Sequence, residues 1–398
     1  MKAAAKWPSL PLTDAFWFQE GPGVRNWQFT TSGIKLLNVA NIEKGGTLNL
    51  EKTDRHLDET EVAKKYSHFL VDAGDLVIAS SGISFDDDGL LRTRGAFVRD
   101  EHLPLCLNTS TVRFKAIDGM SDLRFLRLWL NGREFRSQIT KFVTGTAQQN
   151  FGPSHLKATK ITLPPLAEQR RIAEVLDRAE ALRAKRRAAL AQLDSLTQSL
   201  FLDLFGDPAT NPKGWPTSAL AELGQIHTGK TPPTKLPDMV GGEIPFATPG
   251  DLDGRLASTE RTLTNGGAEY TRVVRAGSAL VGCIGNIGKM TKTPVRCAFN
   301  QQINAVEWNA RIHDDYGIAA LAFGIPQMMA LSSSTTVPIL NKSGFMKVEL
   351  RVPPIPLQRE FARRVTAVEA LKTAQRASLA ELDALFATLE HRAFRGDL

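Results

Sequence analysis

The sequence has few cysteines and no long apolar run. Its three cysteines, Cys106, Cys283 and Cys297, form no C-x-x-C pair and match no metal-ligand spacing, so neither a disulfide framework nor a zinc site is expected. Nowhere do about 18 uninterrupted apolar residues occur, and the first residues contain no apolar core of signal-peptide length. These absences favour a cytoplasmic protein in a reducing compartment, without a membrane segment.

The sequence also lacks catalytic signatures. Its histidines are scattered, and no H-E-x-x-H, G-x-S-x-G or D/N-P-P-Y/F tetrapeptide occurs. Residues 224–231 (GQIHTGKT) formally match the phosphate-binding loop G-x-x-x-x-G-K-[ST]. That loop needs a helix starting at its Lys-Thr, but Pro232 and Pro233 follow here. We interpret Thr228–Thr231 as an exposed loop whose Lys230 can contact a nucleic-acid phosphate, with a P-loop nucleotide-binding protein as the alternative. No catalytic residue and no metal ligand is predicted.

Positive charge is in moderate excess, and most of it lies outside two long polar segments. The formal charge is +7 and the pI about 9.3, which favours an anionic partner such as nucleic acid. Residues 167–205 and 356–398 each hold seven Lys/Arg against six Asp/Glu, so these segments carry +2 and the rest of the chain +5. Most of the excess positive charge therefore lies outside these two segments.

The chain repeats itself. Residues 161–170 (ITLPPLAEQR) return as residues 350–359 (LRVPPIPLQR). Subtracting Gln169 from Gln358 gives an offset of 189, which also matches Phe205 with Phe394 without a gap. Each copy opens a long stretch of helical periodicity. A duplicated half that ends in a long helix is the plan of a protein that presents two similar heads.

The repeat extends, with gaps, into the two heads. Each head begins with a Trp-Pro pair, at Trp7 and Trp215, and a glycine follows at the same offset of 208, at Gly21 and Gly229. A glycine-containing turn then precedes apolar runs of strand length at 76–79 and 279–282, and second strands are predicted at 111–114 and 303–306. The first head is longer, mostly between residues 42 and 108. Two heads with equivalent scaffolds but loops of different length are expected of a protein whose heads recognise different targets.

The segments after the Pro-Pro motifs are predicted to be long helices. The first has apolar residues at helical spacing and no Pro or Gly from 167 to 205, which corresponds to roughly 58 Å of helix. In the second, the same pattern runs from Phe361 to Leu389, and Gly396 follows. Their matching apolar seams favour an antiparallel coiled coil; the alternative is that each helix packs on its own head. The basic run 183–187 is interpreted as a solvated or partner-facing helix surface, with a DNA contact as the alternative.

These features resemble the specificity subunit of type I restriction-modification systems. The motif at 163–169, repeated at 352–358 and each time followed by a long helix that ends near Phe205-Gly206 or Phe394, is similar to the two spacer regions of that family. The Trp215 region resembles the start of its target-recognition domains. Residues 144–146 and 333–335 resemble the closing elements of those domains. The resemblance covers essentially the whole chain.

The resemblance implies an α+β fold in which two pseudo-repeated target-recognition domains, mixed sheets with helices, are joined by two long antiparallel coiled-coil helices. The expected domains are residues 1–163 and 207–352, with spacer helices at 164–206 and 353–398. It also implies a non-catalytic subunit that reads a bipartite double-stranded DNA site and docks two methyltransferase subunits, through which restriction subunits join. S-adenosylmethionine, ATP and Mg would belong to those partners, and no cofactor to this chain. The alternative is a scaffold subunit that does not bind DNA.

Candidate DNA contacts are polar or basic side chains that we place in loops and turns of the heads. They are Arg25, Ser80, Ser81, Thr144, Thr146, Thr228, Lys230, Thr231, Asn286, Ser334 and Lys342.

Overall fold

The computed structural model describes residues 7–82, 84–86, 89–142, 150–233, 238–252, 254–256, 259–333 and 337–398. The chain divides into two compact units: unit 1 comprises Met1–Lys185 and Leu379–Leu398, and unit 2 comprises Arg186–Ser378. Each combines sheets with short helices and parts of two long helices, which confirms the expected α+β class. Because the division crosses both long helices, the domain boundaries proposed from the sequence stay a prediction.

Within its described residues, unit 1 contains two four-stranded sheets and a two-stranded ribbon. Its strands are β1 (Ser9–Pro11), β2 (Phe16–Glu20), β3 (Phe29–Thr30), β4 (Ile34–Leu36), β5 (His56–Leu57), β6 (Leu76–Ala79), β7 (Gly95–Phe97), β8 (Leu105–Cys106), β9 (Thr111–Ala116) and β10 (Lys160–Thr162). Its α-helices are α1 (Leu12–Ala15), α2 (Glu59–Glu61), α3 (Leu123–Asn131), α4 (Arg133–Thr140), α5 (Pro153–Lys157) and the start of α6 (Leu166–Phe205). One sheet has the order β2-β9-β6-β7 and is antiparallel; the other, β3-β5-β4-β8, pairs β4 with β8 in parallel.

Unit 2 repeats this plan. Its strands are β11 (Thr217–Ala219), β12 (Gly224–Thr228), β13 (Val240–Ala247), β14 (Gly254–Arg255), β15 (Arg261–Leu263), β16 (Val273–Val274), β17 (Ala279–Gly282), β18 (Met290–Lys292), β19 (Cys297–Phe299), β20 (Ile303–Trp308) and β21 (Glu349–Arg351). Its α-helices are α7 (Leu220–Leu223), α8 (Asn265–Glu269), α9 (Asp314–Phe323), α10 (Ile325–Ala330), α11 (Lys342–Phe345) and most of α12 (Ile355–Ala393). The sheet orders β12-β20-β17-β18-β14 and β15-β13-β19-β16 place β12, β20 and β17 as β2, β9 and β6 are placed in unit 1.

The repeated strand predictions are confirmed. Gly74 and Gly277 have φ angles of 90° and 86°, which L side chains rarely adopt. Each turn leads into a strand whose four residues are all buried, β6 in unit 1 and β17 in unit 2. These strands pair with β9 and β20, the second strands expected from the sequence. The two turns therefore start the central strands of equivalent sheets.

Two long helices, α6 and α12, are also confirmed, and within each unit they run antiparallel. In unit 1 Arg171 bonds to the backbone oxygen of Leu398, and Arg183 to Asp383 at 2.6 Å. As the residue number along α6 rises from 171 to 183, the residue number of the contacting partner falls from 398 to 383. The two segments therefore run antiparallel. The first half of α6 also packs on its own head, because Ile172 lies in the main hydrophobic core of unit 1.

Unit 2 shows the same antiparallel pairing. Arg186 donates to Gln375 at 2.9 Å, and Lys372 lies 3.0 Å from Asp194. The interpretation of the basic run 183–187 as a solvated helix surface agrees with its exposed residues Lys185, Arg186 and Arg187, whereas Arg183 is half-buried. Arg183 and Arg186 bond to α12 within the chain, because the helix pair brings acidic and amide side chains opposite them.

The three cysteines are free and buried. Burial raises the pKa of Cys106 and Cys297 to about 12 and that of Cys283 to about 11, so these thiols stay protonated and unreactive at neutral pH. Within the described parts of the chain, no helix has the length and apolar character needed to cross a membrane.

Candidate functional site

A repeated glycine shapes the end of β2 in unit 1 and of β12 in unit 2, the equivalent edge strands of the sheets β2-β9-β6-β7 and β12-β20-β17-β18-β14. The Gly21 N–H donates to Thr111 O, and the Gly229 N–H to Ile303 O, both at 3.1 Å. A Cβ on Gly229 would lie 2.1 Å from the backbone oxygen of Asn300, and one on Gly21 2.5 Å from backbone atoms of Asn108. Only glycine allows so close an approach. The two glycines aligned in the sequence therefore occupy equivalent positions.

In unit 2 the close contact between Gly229 and the Asn300 backbone brings several polar turns together. We call the surface that they form the strand-end surface of unit 2. It is a shallow groove of about 580 Å³. The groove is lined by side chains from four segments of the chain, mainly Thr248, Arg261, Asn286, Lys289, Asn300 and Gln302. Amides can donate to and accept from base edges, and the two cations suit phosphate.

Hydrogen bonds hold the polar side chains around this surface in place. Thr228 donates to Asn304 at 2.8 Å, and Thr231 to Gln301 at 2.6 Å. Asn300 donates to Gln302 at 3.2 Å. Side chains held by their neighbours lose less conformational entropy when they bind a ligand. The surface is therefore preorganised for recognition.

The candidates of unit 2 lie on or beside this surface. Thr228 is half-buried as the last residue of β12, whereas Lys230 is exposed just beyond it. Asn286 is exposed in the turn between β17 and β18. Lys342 begins α11, a one-turn helix that replaces the turn expected there. Its neighbour Leu340 accepts a hydrogen bond from Asn304, which places Lys342 near the same edge.

The equivalent edge of unit 1, the strand-end surface of unit 1, is supported by three asparagines: Asn38 and Asn41 are buried, at 7% and 0% exposure, and Asn108 is half-buried. Asn108 donates to Asn38 Oδ1 at 3.0 Å, and the Asn38 backbone N–H to Asn41 Oδ1 at 2.9 Å. Arg55 also donates to Asn38 at 3.3 Å. Asn38 and Thr248 occupy matching places, each capping a 3-10 turn that follows a strand paired in parallel. This correspondence could not be aligned from the sequence.

Among the unit 1 candidates, Ser80 was a wrong choice. It is 2% exposed, and its backbone bonds to Ser110 and Phe151, so its side chain is enclosed within the fold. Ser81, next along the chain, is half-buried. Arg25 is exposed and precedes a 3-10 turn, where its N–H donates to Gln28 at 2.9 Å. Its place on a loop of the head agrees with the prediction, and its DNA contact stays a prediction.

Three further candidates, Thr144, Thr146 and Ser334, lie outside the described residues.

A basic pocket of about 200 Å³ in unit 1 was missed by the sequence reasoning. It is lined by Lys44, Ser84, Arg92, Thr93, Arg94, Asn131 and Arg136. Arg94 donates to the backbone oxygen of Gly82 at 3.3 Å, and Gly82 lies beside Val39, the residue that follows Asn38. Arg136 pairs with Asp86. Five of the seven lining residues lie between residues 42 and 108, where the first head is longer than the second, and the basic residues there were the available signal.

The long helices carry two matching pairs of exposed leucines. Leu182 in α6 and Leu371 in α12, 189 residues apart, are 52% and 54% exposed; Leu196 and Leu385, also 189 apart, are 39% and 50% exposed. One leucine from each helix lies in each unit, Leu182 with Leu385 in unit 1 and Leu371 with Leu196 in unit 2. Each unit therefore carries one exposed leucine from each long helix, at positions that the duplication makes equivalent.

The chemistry of the phosphate-binding loop and of metal sites is not supported. Gly224 is the first residue of β12 and Gly229 directly follows that strand, and no helix begins at Lys230-Thr231. Among the described residues, no group of three or more His, Cys, Asp or Glu side chains is placed to hold a metal ion.

The family model and the similar proteins that match this chain all describe type I restriction specificity subunits or domains. The family model described as type I restriction modification DNA specificity domain matches residues 34–192 and 212–383, most of the chain. The type I restriction enzyme HindI specificity subunit of Haemophilus influenzae is 31% identical over 169 residues, 39% of this chain and 36% of that protein. The putative type I restriction enzyme MjaX specificity subunit of Methanocaldococcus jannaschii is 21% identical over 60% of both chains. The matches thus span about a third to three fifths of these relatives.

Solved structures show the same fold. The S subunit of a type I restriction-modification system from M. genitalium aligns with a TM-score of 0.60 and 16% identity, over 98% of this chain and 96% of that one. A chain from a structure on complex assembly and conformational transition of the type I R-M system aligns with a TM-score of 0.58 and 19% identity over the full length of both. Because the family model covers both halves of the repeat, the chain belongs to the type I restriction modification DNA specificity domain family.

Proposed function

We propose that this chain is the DNA-reading subunit of a type I restriction-modification complex, and that each unit reads one half of a bipartite double-stranded site. The observation that carries the proposal is the pair of strand-end surfaces. The same strand order and the same close glycine build a polar edge in both units. The side chains on the two edges differ at matching positions, with Asn38 in unit 1 where Thr248 lies in unit 2, and the groove of unit 2 adds Gln302 and two cations, as expected for two different half-sites.

The amides and the cations of these surfaces have different tasks in this proposal. The amides that reach the surface, Asn108 in unit 1 and Asn286 and Gln302 in unit 2, present paired donors and acceptors that match base edges in the major groove. Lys230, Arg261 and Lys289 in unit 2, and the basic pocket in unit 1, supply positive charge for the phosphates that flank each half-site. Phosphate contacts set orientation, and the amides carry sequence preference.

The partners we propose are two methyltransferase subunits, with restriction subunits joining through them. The matched leucines support two copies of one partner, since Leu182 and Leu371 have equal exposure at equivalent positions. Exposed leucines on a rigid helix pair are suitable centres for a protein interface. In this assembly S-adenosylmethionine, ATP and Mg belong to the partners, this chain is non-catalytic, and the complex acts on DNA in the cytoplasm. A scaffold without DNA binding and a P-loop nucleotide-binding protein find no support in the family.

A chimera tests the proposal. Residues 1–163 are exchanged for the corresponding head of another family member, and the methylomes of hosts carrying the original or the exchanged gene are sequenced. We expect one half-site to change and the other to persist. Retention of the complete original target by the chimera would refute independent reading by the two units.

A further inference from the structure

Two glutamines complete the repeated Pro-Pro motif, Gln169 in α6 and Gln358 in α12. Each is the fourth residue of its long helix, and both side chains are fully buried. Buried amides must be hydrogen-bonded, because burial removes them from water. The partners of these two amides show what the motif does.

In unit 1, the Gln169 side chain makes three bonds to backbone atoms. Its Oε1 accepts from the Asp122 N–H at 2.9 Å, and its Nε2 donates to Met120 O at 2.9 Å and to Pro164 O at 2.8 Å. Asp122 is the N-cap of α3, whose side-chain oxygen accepts from the N–H groups of Arg124 and Phe125. One amide thus joins the start of a head helix, the Pro-Pro segment and α6.

In unit 2, Gln358 makes the same three bonds. Its Oε1 accepts from the His313 N–H at 2.7 Å, and its Nε2 donates to Arg311 O at 3.0 Å and to Pro353 O at 2.8 Å. His313 is the N-cap of α9. The residues that supply the backbone groups differ from those in unit 1, yet the geometry is the same, because backbone groups do not depend on side-chain identity.

Three bonds in different directions restrain rotation as well as separation. If a long helix turned against its head, at least one bond would stretch, and a buried donor or acceptor would lose its partner without access to water. The two prolines before each helix further limit the backbone, since proline fixes φ. The connection between head and helix is therefore a rigid joint in each unit.

We infer that Gln169 and Gln358 are positioning residues for DNA recognition, each fixing the angle between one head and its long helix. The two joints limit the number of base pairs that the assembled protein accepts between its half-sites. This inference rests on the proposed function and assigns it residues that touch no DNA.

The test compares gap preference in joint variants and in a stability control. Gln169→Met and Gln358→Met replace the amide with an unbranched side chain that cannot make the three bonds. Val112→Ala, a buried change in β9 distant in sequence from the joint, is the control for lost stability. Methylome sequencing of the wild type gives the target and its gap. Affinities of the assembled methyltransferase are then measured for duplexes with that gap and with gaps one base pair longer and shorter.

We expect the wild type and Val112→Ala to prefer the native gap, and the methionine variants to bind all three duplexes with affinity ratios near one. Methionine variants that melt earlier yet keep the native preference would overturn the inference, leaving the glutamines a structural role only. If the methionine variants fail to assemble, Gln169→Asn replaces them, because its amide is one methylene too short to make the three bonds. The same ratio of affinities for the three duplexes is then measured. A wild-type methylome without a bipartite target would instead contradict the proposed function.

Discussion

Replacing Lys230 with alanine tests whether the strand-end surface of unit 2 holds a DNA phosphate. Lys230 is exposed just beyond β12, and its backbone is fixed by a hydrogen bond from its N–H to Phe299 O at 3.1 Å and by a bond from Thr271. Among the described residues its ammonium has no ion-pair partner. A long cation on a fixed backbone, with no acidic neighbour to satisfy it, is suited to a phosphate.

The expected magnitude follows from counterion release. Each phosphate contact contributes about 0.9 to the slope of log affinity against log salt. Raising salt from about 50 to about 200 mM is a fourfold change, so one contact accounts for about a 3.5-fold loss of affinity over that range. Lys230→Ala should remove this contribution from cognate and random duplexes alike. Lys342→Ala, at the same edge, should have the same effect. Over this salt range, the affinity of the double variant should therefore fall about 12-fold less than the affinity of the wild type.

The assay is the affinity of the assembled methyltransferase for both duplexes across a salt series. Lys347→Ala is the matched control, because Lys347 is an exposed lysine in the segment beside α7, at the opposite end of β12. An unchanged slope for Lys230→Ala would refute the phosphate contact. A loss confined to cognate DNA would show instead that this side chain reads a base.

Three further predictions address the partners, the spacer and the pH dependence. Leu182→Asp or Leu371→Asp should each release one of two methyltransferase copies without lowering the melting temperature, and native mass spectrometry showing full assembly would contradict the proposed role of these leucines. Four residues inserted after Ala188 and four after Ala377, opposite each other in the helix pair, should lengthen it by about 6 Å and change the gap but neither half-site; altered half-sites with an unchanged gap, read from the methylome, would disprove the spacer role. Burial raises the pKa of Glu134 above 4.5, so its stabilising contribution is complete below pH 4.5 and is lost as pH rises through the raised pKa. Glu134→Gln removes the titration but also one of the two acceptors used by Trp129 and Thr162, so its melting temperature relative to the wild type should be higher at about pH 8 than near pH 4.5 in a calorimetric scan; an equal shift at both pH values would contradict this cause.

Local features of the sequence were sufficient for the elements and their duplication. The absence of Pro and Gly between 167 and 205 leaves a long helix uninterrupted, and Gly74 and Gly277 mark turns that only glycine enters easily. Helical periodicity and turn chemistry act between near neighbours, so they can be read along the chain. The Pro-Pro motif was recognised in this way as the start of each helix.

The tertiary structure decided which polar groups share a surface and which are enclosed. Thr248 and Asn300 line one groove although 52 residues separate them, Lys44 meets Arg92 in one pocket, and Ser80 is enclosed. Strand periodicity assigns a side chain to a face but does not identify the strand that packs beside it, because pairing depends on contacts distant in sequence. For the same reason the motif showed that Gln169 begins a helix, and only the folded chain brought the Asp122 backbone to its amide.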